Sequence, residues 1–123
     1  MKNFISDALS PPNGAYSHAV ISGNFVFTAG QTGNLPETGK LIGPSITEQT
    51  EQVCKNIKTI LEACGTSMEK VVKTTCFLTD MNDITAYNEV FSKYFTSKPA
   101  RSTIGVKELP RNAIVEIEAV AEL

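Results

Sequence analysis

Between Ser45 and Gly65 the apolar residues Val53, Ile57, Ile60, Leu61 and Cys64 recur in steps of four, three, one and three, the repeat of a single helix face. Ser45-Ile46-Thr47-Glu48 opens this predicted helix as a capping box, and Gly65 stands where the chain has to leave it. A second helical stripe, Ile84, Tyr87, Phe91, Tyr94 and Phe95, follows Asn82 or Asp83, either of which can cap it, and Lys98-Pro99 stops it. Elsewhere the period is two. Tyr16 to Ile21 and Phe25 to Ala29 read as a hairpin around Ser22-Gly23-Asn24, and Val71 to Leu78 is a β-rich strand. Arg101 to Val106 and Ile114 to Ala121 are the last strands, parted by a turn at Pro110-Arg111-Asn112. Gly30 to Pro44 reads as loop, with a small hairpin at Glu37-Thr38-Gly39-Lys40. The predicted order is ββαβαββ, an α+β plan with both helices on one face of the sheet.

The strand faces carry a second message. In the last strand Val115, Ile117, Ala119 and Ala121 share the face expected to meet the helices, while Ile114, Glu116, Glu118 and Val120 share the other. In the third, Val71, Lys73, Thr75 and Phe77 alternate with Val72, Thr74, Cys76 and Leu78. Neither set is cleanly polar, as a solvated antiparallel sheet would be. Two helices cover one face only, so the other is expected to pack on further copies of the chain.

With 123 residues, 41% of them hydrophobic and 20% charged, the chain is expected to form a single globular domain, residues 1–123. A net charge of −2 and a pI near 5.4 supply no basic field for nucleic acid. The start, Met1-Lys2-Asn3-Phe4-Ile5-Ser6-Asp7, resembles neither a secretory signal nor an Arg-rich transit peptide, and no apolar run approaches a membrane span, so a cytoplasmic location is expected. Cys54, Cys64 and Cys76 form no C-x-x-C pair and read as reduced thiols acting as small hydrophobes. His18 is the single histidine, which removes multi-histidine metal sites and makes any histidine-based triad depend on one residue.

Candidate chemistry rests on Arg101, in Lys98-Pro99-Ala100-Arg101-Ser102-Thr103, and on the carboxylates of Val115-Glu116-Ile117-Glu118. A guanidinium holds a small carboxylate in a planar two-pronged grip, and a glutamate on a strand nearby can handle a proton or a water. Alternation places Glu116 on the face assigned to subunit contact. Arg101 is expected on that face too, keeping Glu116 ionised.

Gly14-Ala15-Tyr16-Ser17-His18-Ala19-Val20, Ala29-Gly30-Gln31, Val72-Lys73-Thr74-Thr75-Cys76-Phe77-Leu78, Pro99-Ala100-Arg101-Ser102 and Leu109 to Ala119 together resemble the RidA/YjgF family, the reactive intermediate (enamine/imine) deaminases. The likeness runs in order from about Tyr16 to Ala121. It implies a chorismate-mutase-like α+β fold, a homotrimer with sites in the clefts between subunits, and no cofactor or metal. It also implies hydrolysis of 2-imino acids, chiefly 2-iminopropanoate and 2-iminobutanoate, to 2-oxo acids and ammonia. By position, the resemblance makes Arg101 the anchor of the substrate carboxylate and Glu116 the holder of the attacking water, with Tyr16, Gly30, Asn88 and Thr103 lining the substrate site. Many members carry Ser where this chain has Ala29, and Cys where it has Thr103; the second departure removes any thiol nucleophile there. Two other readings stay open: a ribonuclease or translation inhibitor, and a trimeric sensor that binds a 2-oxo acid without turnover. The ribonuclease lacks a histidine pair and a basic-aromatic platform. The sensor gains nothing from a carboxylate beside its anionic ligand.

Overall fold

The computed structural model describes residues 1–123. Its elements are β1 (Lys2–Phe4), β2 (Ala19–Ser22), β3 (Phe25–Thr28), α1 (Ile46–Ala63), β4 (Val71–Leu78), α2 (Ile84–Tyr94), β5 (Ala100–Gly105) and β6 (Val115–Glu122). The six strands form one mixed sheet in the order β1-β2-β3-β6-β4-β5, with β4 and β5 parallel and the other pairs antiparallel. The parallel pair follows from its connection: α2 carries the chain back to start β5 beside β4. Both helices contribute to one buried cluster of 19 residues with the inner strand faces, so the expected α+β plan holds. No helix is long and apolar enough to cross a membrane.

Helix α1 forms where its signals place it. Ser45 Oγ accepts the Glu48 amide at 3.1 Å and donates to the Glu48 carboxylate at 3.0 Å, and Gly65 leaves the helix at φ +89°. Val53, Ile57, Ile60 and Leu61 are fully buried. The polar side of α1 fastens the long loop that follows β3. Asn56 donates to Asn34 O at 2.9 Å, Gln49 donates to Gly43 O at 2.8 Å, and Gln49 Oε1 accepts the Ile114 amide at 3.0 Å. Gly33 lets the loop approach so closely that an added Cβ would lie 2.9 Å from Gln49 Cα.

Five expectations need correction. β1 is an added N-terminal strand, too short for any periodic signal, and β2 starts at Ala19 instead of Tyr16. The turn entering α2 is capped by Asp80, whose side chain accepts the Asn82 amide at 2.9 Å; neither Asn82 nor Asp83 does this. Val71 is 2% exposed and belongs to the helix-facing set with Thr74, Cys76 and Leu78, because a bulge between Val71 and Lys73 shifts the alternation by one residue. The last correction concerns Arg101. It pairs with Thr74, a fully buried residue on the helix side, so its side chain leaves the sheet on the face opposite to Glu116.

The open face carries Phe25, Phe27, Ile104 and Val72, each at least 36% exposed in the lone chain, around Glu116 and Glu118. Cys54 and Cys76 are buried, Cys64 is half-buried, and burial pushes all three thiols up, so none has thiolate character.

Candidate active site

The sequence-predicted residues gather in two clusters, one on each face of the sheet. The first is built around Glu116. Between the Phe27–Val120 pair and the Gln31–Ile117 pair, the chain after β3 advances four residues while β6 advances three. The extra residue makes a bulge. Thr28 Oγ1 takes the Ala119 amide at 3.0 Å, and the Gln31 amide then pairs with Ile117 O at 2.9 Å. Ala29 and Gly30 are thereby laid against Glu116. Together with Asn13, Tyr16, Thr32, Pro110 and Arg111, these three residues line an open cleft of about 470 Å³.

Position 30 has no room for a side chain while Glu116 keeps its pose. A Cβ there would lie 2.5 Å from Glu116 Oε2 and 2.9 Å from its carboxyl carbon. Because the obstacle is the end of a flexible side chain, Gly30→Ala is expected to displace the carboxylate and leave the fold nearly intact. Activity should fall at least about tenfold with little change in thermal midpoint, measured by turnover and melting on one preparation.

Burial, and then the like charge of Glu118, raises the Glu116 carboxyl above its ordinary range. No cation of the chain pairs with it: the one ion pair is Lys55–Glu51. The guanidinium expected to keep Glu116 ionised is therefore absent from this side of its own chain. Were Glu116 to handle a proton in turnover, the acid limb of activity would follow this residue. Glu118→Gln removes a like charge and so favours ionised Glu116, and the limb is expected to move to lower pH while the plateau rate stays close to that of the parent. Rates measured from pH 4 upward check both points.

Tyr16 stands at the rim, 52% exposed, with its hydroxyl accepting the Asn13 amide at 3.3 Å. His18 is 3% exposed and fully engaged: Nδ1 accepts the Ser6 amide at 2.9 Å and Nε2 donates to Ser10 O at 2.9 Å. It ties the N-terminal segment behind Tyr16 and has no lone pair or proton left for chemistry.

Arg101, Asn88 and Thr103 form the second cluster, at the β5 edge. The Arg101 guanidinium lies 4.8 Å from the Phe91 ring centroid and 5.3 Å from that of Tyr87, and Nη1 donates to Asn88 Oδ1 at 2.9 Å. Thr103 follows on the same face opposite Cys76, its hydroxyl buried and without a partner. The hydroxyls of Thr74, Tyr87 and Thr103 surround the Cys76 sulfur without hydrogen bonds of ordinary geometry.

Sequence reasoning missed Asn13, Thr32, Pro110 and Arg111 as cleft residues. Arg111 and Asn112 adopt φ +58° and +60°, a left-handed step that aims the turn at the cleft. The Pro-Arg-Asn run signals a turn and nothing of where it points.

Comparison with known proteins identifies the family to which this fold belongs. The family model described as Endoribonuclease L-PSP matches residues 7–123. A RutC family protein of Pyrococcus horikoshii is 48% identical over 98% of each chain. A 2-iminobutanoate/2-iminopropanoate deaminase of Dermatophagoides farinae is 44% identical over 97% of this chain and 94% of its own. The crystal structure of RidA from an Antarctic Psychrobacter superposes with a TM-score of 0.95, at 40% identity over the whole of both chains. The chain belongs to the Endoribonuclease L-PSP family, also known as YjgF/RidA.

Proposed function

We propose that the protein hydrolyses small 2-imino acids, 2-iminobutanoate and 2-iminopropanoate among them, to 2-oxo acids and ammonia. The site is completed between subunits of a homotrimer. The observation that carries this reading is the division of the candidate residues. The cleft with the half-buried Glu116 carboxylate holds no guanidinium paired to it, and a guanidinium braced on aromatic rings stands on the opposite face at the sheet edge. A second copy whose β5 edge reaches this cleft supplies the missing cation. The exposed apolar residues of the open face give copies a reason to meet. The Dermatophagoides relative bears the name of this activity.

The chemistry asks little of the protein. Arg101 of one subunit grips the substrate carboxylate and supplies orientation. Glu116 of the next accepts a proton as a water oxygen bonds to the iminium carbon. The resulting carbinolamine nitrogen takes that proton back, the C–N bond breaks, and ammonia leaves. Loss of the remaining hydroxyl proton gives the 2-oxo acid. Tyr16 and Gly30 line the water side, while Asn88 and Thr103 line the carboxylate side. Neither a metal nor a cofactor takes part in these steps.

The family's descriptive name raises a ribonuclease. The one histidine, buried with both ring nitrogens bonded to backbone, is not free to act as an acid or a base on RNA. A coupled assay tests the proposal. A threonine or serine dehydratase generates the imine in situ, and 2-oxo acid release is followed with and without this protein. Acceleration supports the enzyme. A rate equal to spontaneous hydrolysis favours a binding protein, and RNA cleavage abolished by Arg101→Ala favours a nuclease.

A further inference from the structure

We infer that Phe91 and Tyr87 are positioning residues that, with Asn88, hold Arg101 in its carboxylate-gripping pose before substrate arrives. This inference rests on the anchor role proposed for Arg101.

An arginine on an edge strand has four rotatable bonds, and Arg101 sits in a strand exposed along most of its length. Left to itself, such a side chain samples many rotamers and has to be ordered at each binding event, which weakens binding. Three neighbouring residues of α2 prevent this. Tyr87 and Phe91 lie one helical turn apart, so their rings sit side by side on one face, tilted by 43° with 5.7 Å between centroids, and form a shelf at the sheet edge. The shelf itself is rigid: Tyr87 is fully buried, Phe91 is 7% exposed, and Phe91 is backed by Phe95 with ring centroids 4.3 Å apart. Arg101 lies over both rings. The guanidinium is flat and weakly hydrated, so it can rest on a π face without giving up in-plane hydrogen bonds.

Asn88, between the two aromatics in sequence, takes one Nη1 proton and so fixes the rotation of the plane. It uses one of five donors and leaves the remaining edges for a two-pronged carboxylate contact. In this arrangement Asn88 lines the carboxylate side and acts through Arg101. The placement also accounts for aromatic residues at two successive positions of α2 that meet the edge strand, where aliphatic side chains would fill the core equally well.

A positioning role differs from a core role in one measurable way: its effect disappears when Arg101 is gone. Phe91→Leu keeps an apolar side chain and removes the π face. Phe91→Tyr restores it. Asn88→Ala sits on the exposed side of α2 and leaves the core untouched. Each is made in the parent and in Arg101→Ala. The readouts are 2-oxobutanoate affinity by calorimetry and separate kcat and KM on 2-iminobutanoate. Phe91→Leu and Asn88→Ala are each expected to raise Kd and KM about fivefold with kcat changed less than about twofold, and Phe91→Tyr to recover the parent values. In the Arg101→Ala background neither substitution should weaken binding further.

Parent-like KM in both Phe91→Leu and Asn88→Ala overturns the inference. So do equal losses in the two backgrounds, which mark a general packing effect. If Phe91→Leu fails to fold, Asn88→Ala in both backgrounds decides by the same criterion. Unchanged 2-oxobutanoate affinity in Arg101→Ala itself is a different result: it removes the anchor reading.

Discussion

Arg101→Lys is expected to lower kcat/KM at least about tenfold although the positive charge is kept. Lysine presents a compact ammonium that cannot make two parallel hydrogen bonds to a carboxylate. It also loses the contacts that fix Arg101: a flat cation over Phe91 at 4.8 Å and the 2.9 Å bond to Asn88. The loss should fall mainly on KM, because the missing grip acts before any bond changes, and the melting temperature should stay close to that of the parent. Turnover near the parent level in Arg101→Lys would make Arg101 an ordinary edge-strand charge and leave the substrate carboxylate without its proposed anchor.

Glu116→Gln is expected to fall at least about tenfold in kcat while binding of a 2-oxo acid survives. Glutamine retains the shape and one acceptor oxygen but cannot take a proton from water. The sign of the stability effect separates this from damage to the fold. Burial and Glu118 raise the Glu116 carboxyl, so its ionisation is harder in the folded chain than in the unfolded one. That penalty applies above the raised folded value and vanishes below the unfolded one. Removing the ionisable group therefore should leave the folded chain at least as stable at neutral pH. Glu118→Gln, two residues away on the same face, should shift the acid limb without a comparable loss of rate. If both variants keep full turnover on 2-iminobutanoate, the carboxylates are structural and the attacking water is handled by another group.

The parts legible in the sequence are those where the local signals agree and run without a break. Ser45, Glu48, Gly65 and the Val53-Ile57-Ile60-Leu61 stripe define α1 because cap, stop and apolar face agree. The open face of Glu116 is legible because β6 alternates without a break, buried at Val115, Ile117, Ala119 and Ala121. The face of Arg101 is not legible because β5 has no alternation: as an edge strand it is exposed at five of six positions, so nothing in its composition sets its face or register. Only its parallel pairing with β4, which puts Arg101 beside Thr74, decides the question. The bulge at Val71 was hidden for a related reason, since Val71, Val72 and Lys73 read equally well in either phase. Arg111 entered the cleft through a left-handed backbone step. The candidate residues were thus legible as a set, while their division between two faces was not.

A hybrid-oligomer experiment tests that division most directly. Arg101→Ala and Glu116→Gln are co-expressed in equal amounts with different affinity tags, and doubly tagged oligomers are assayed on 2-iminobutanoate. In a cyclic trimer that holds both variants, one site of the three takes an intact guanidinium from one subunit and an intact carboxylate from the next, so the doubly tagged hybrids should recover about a third of parent activity. Hybrids no more active than the two variants assayed separately would contradict the account, because they would place both groups of each working site on a single chain.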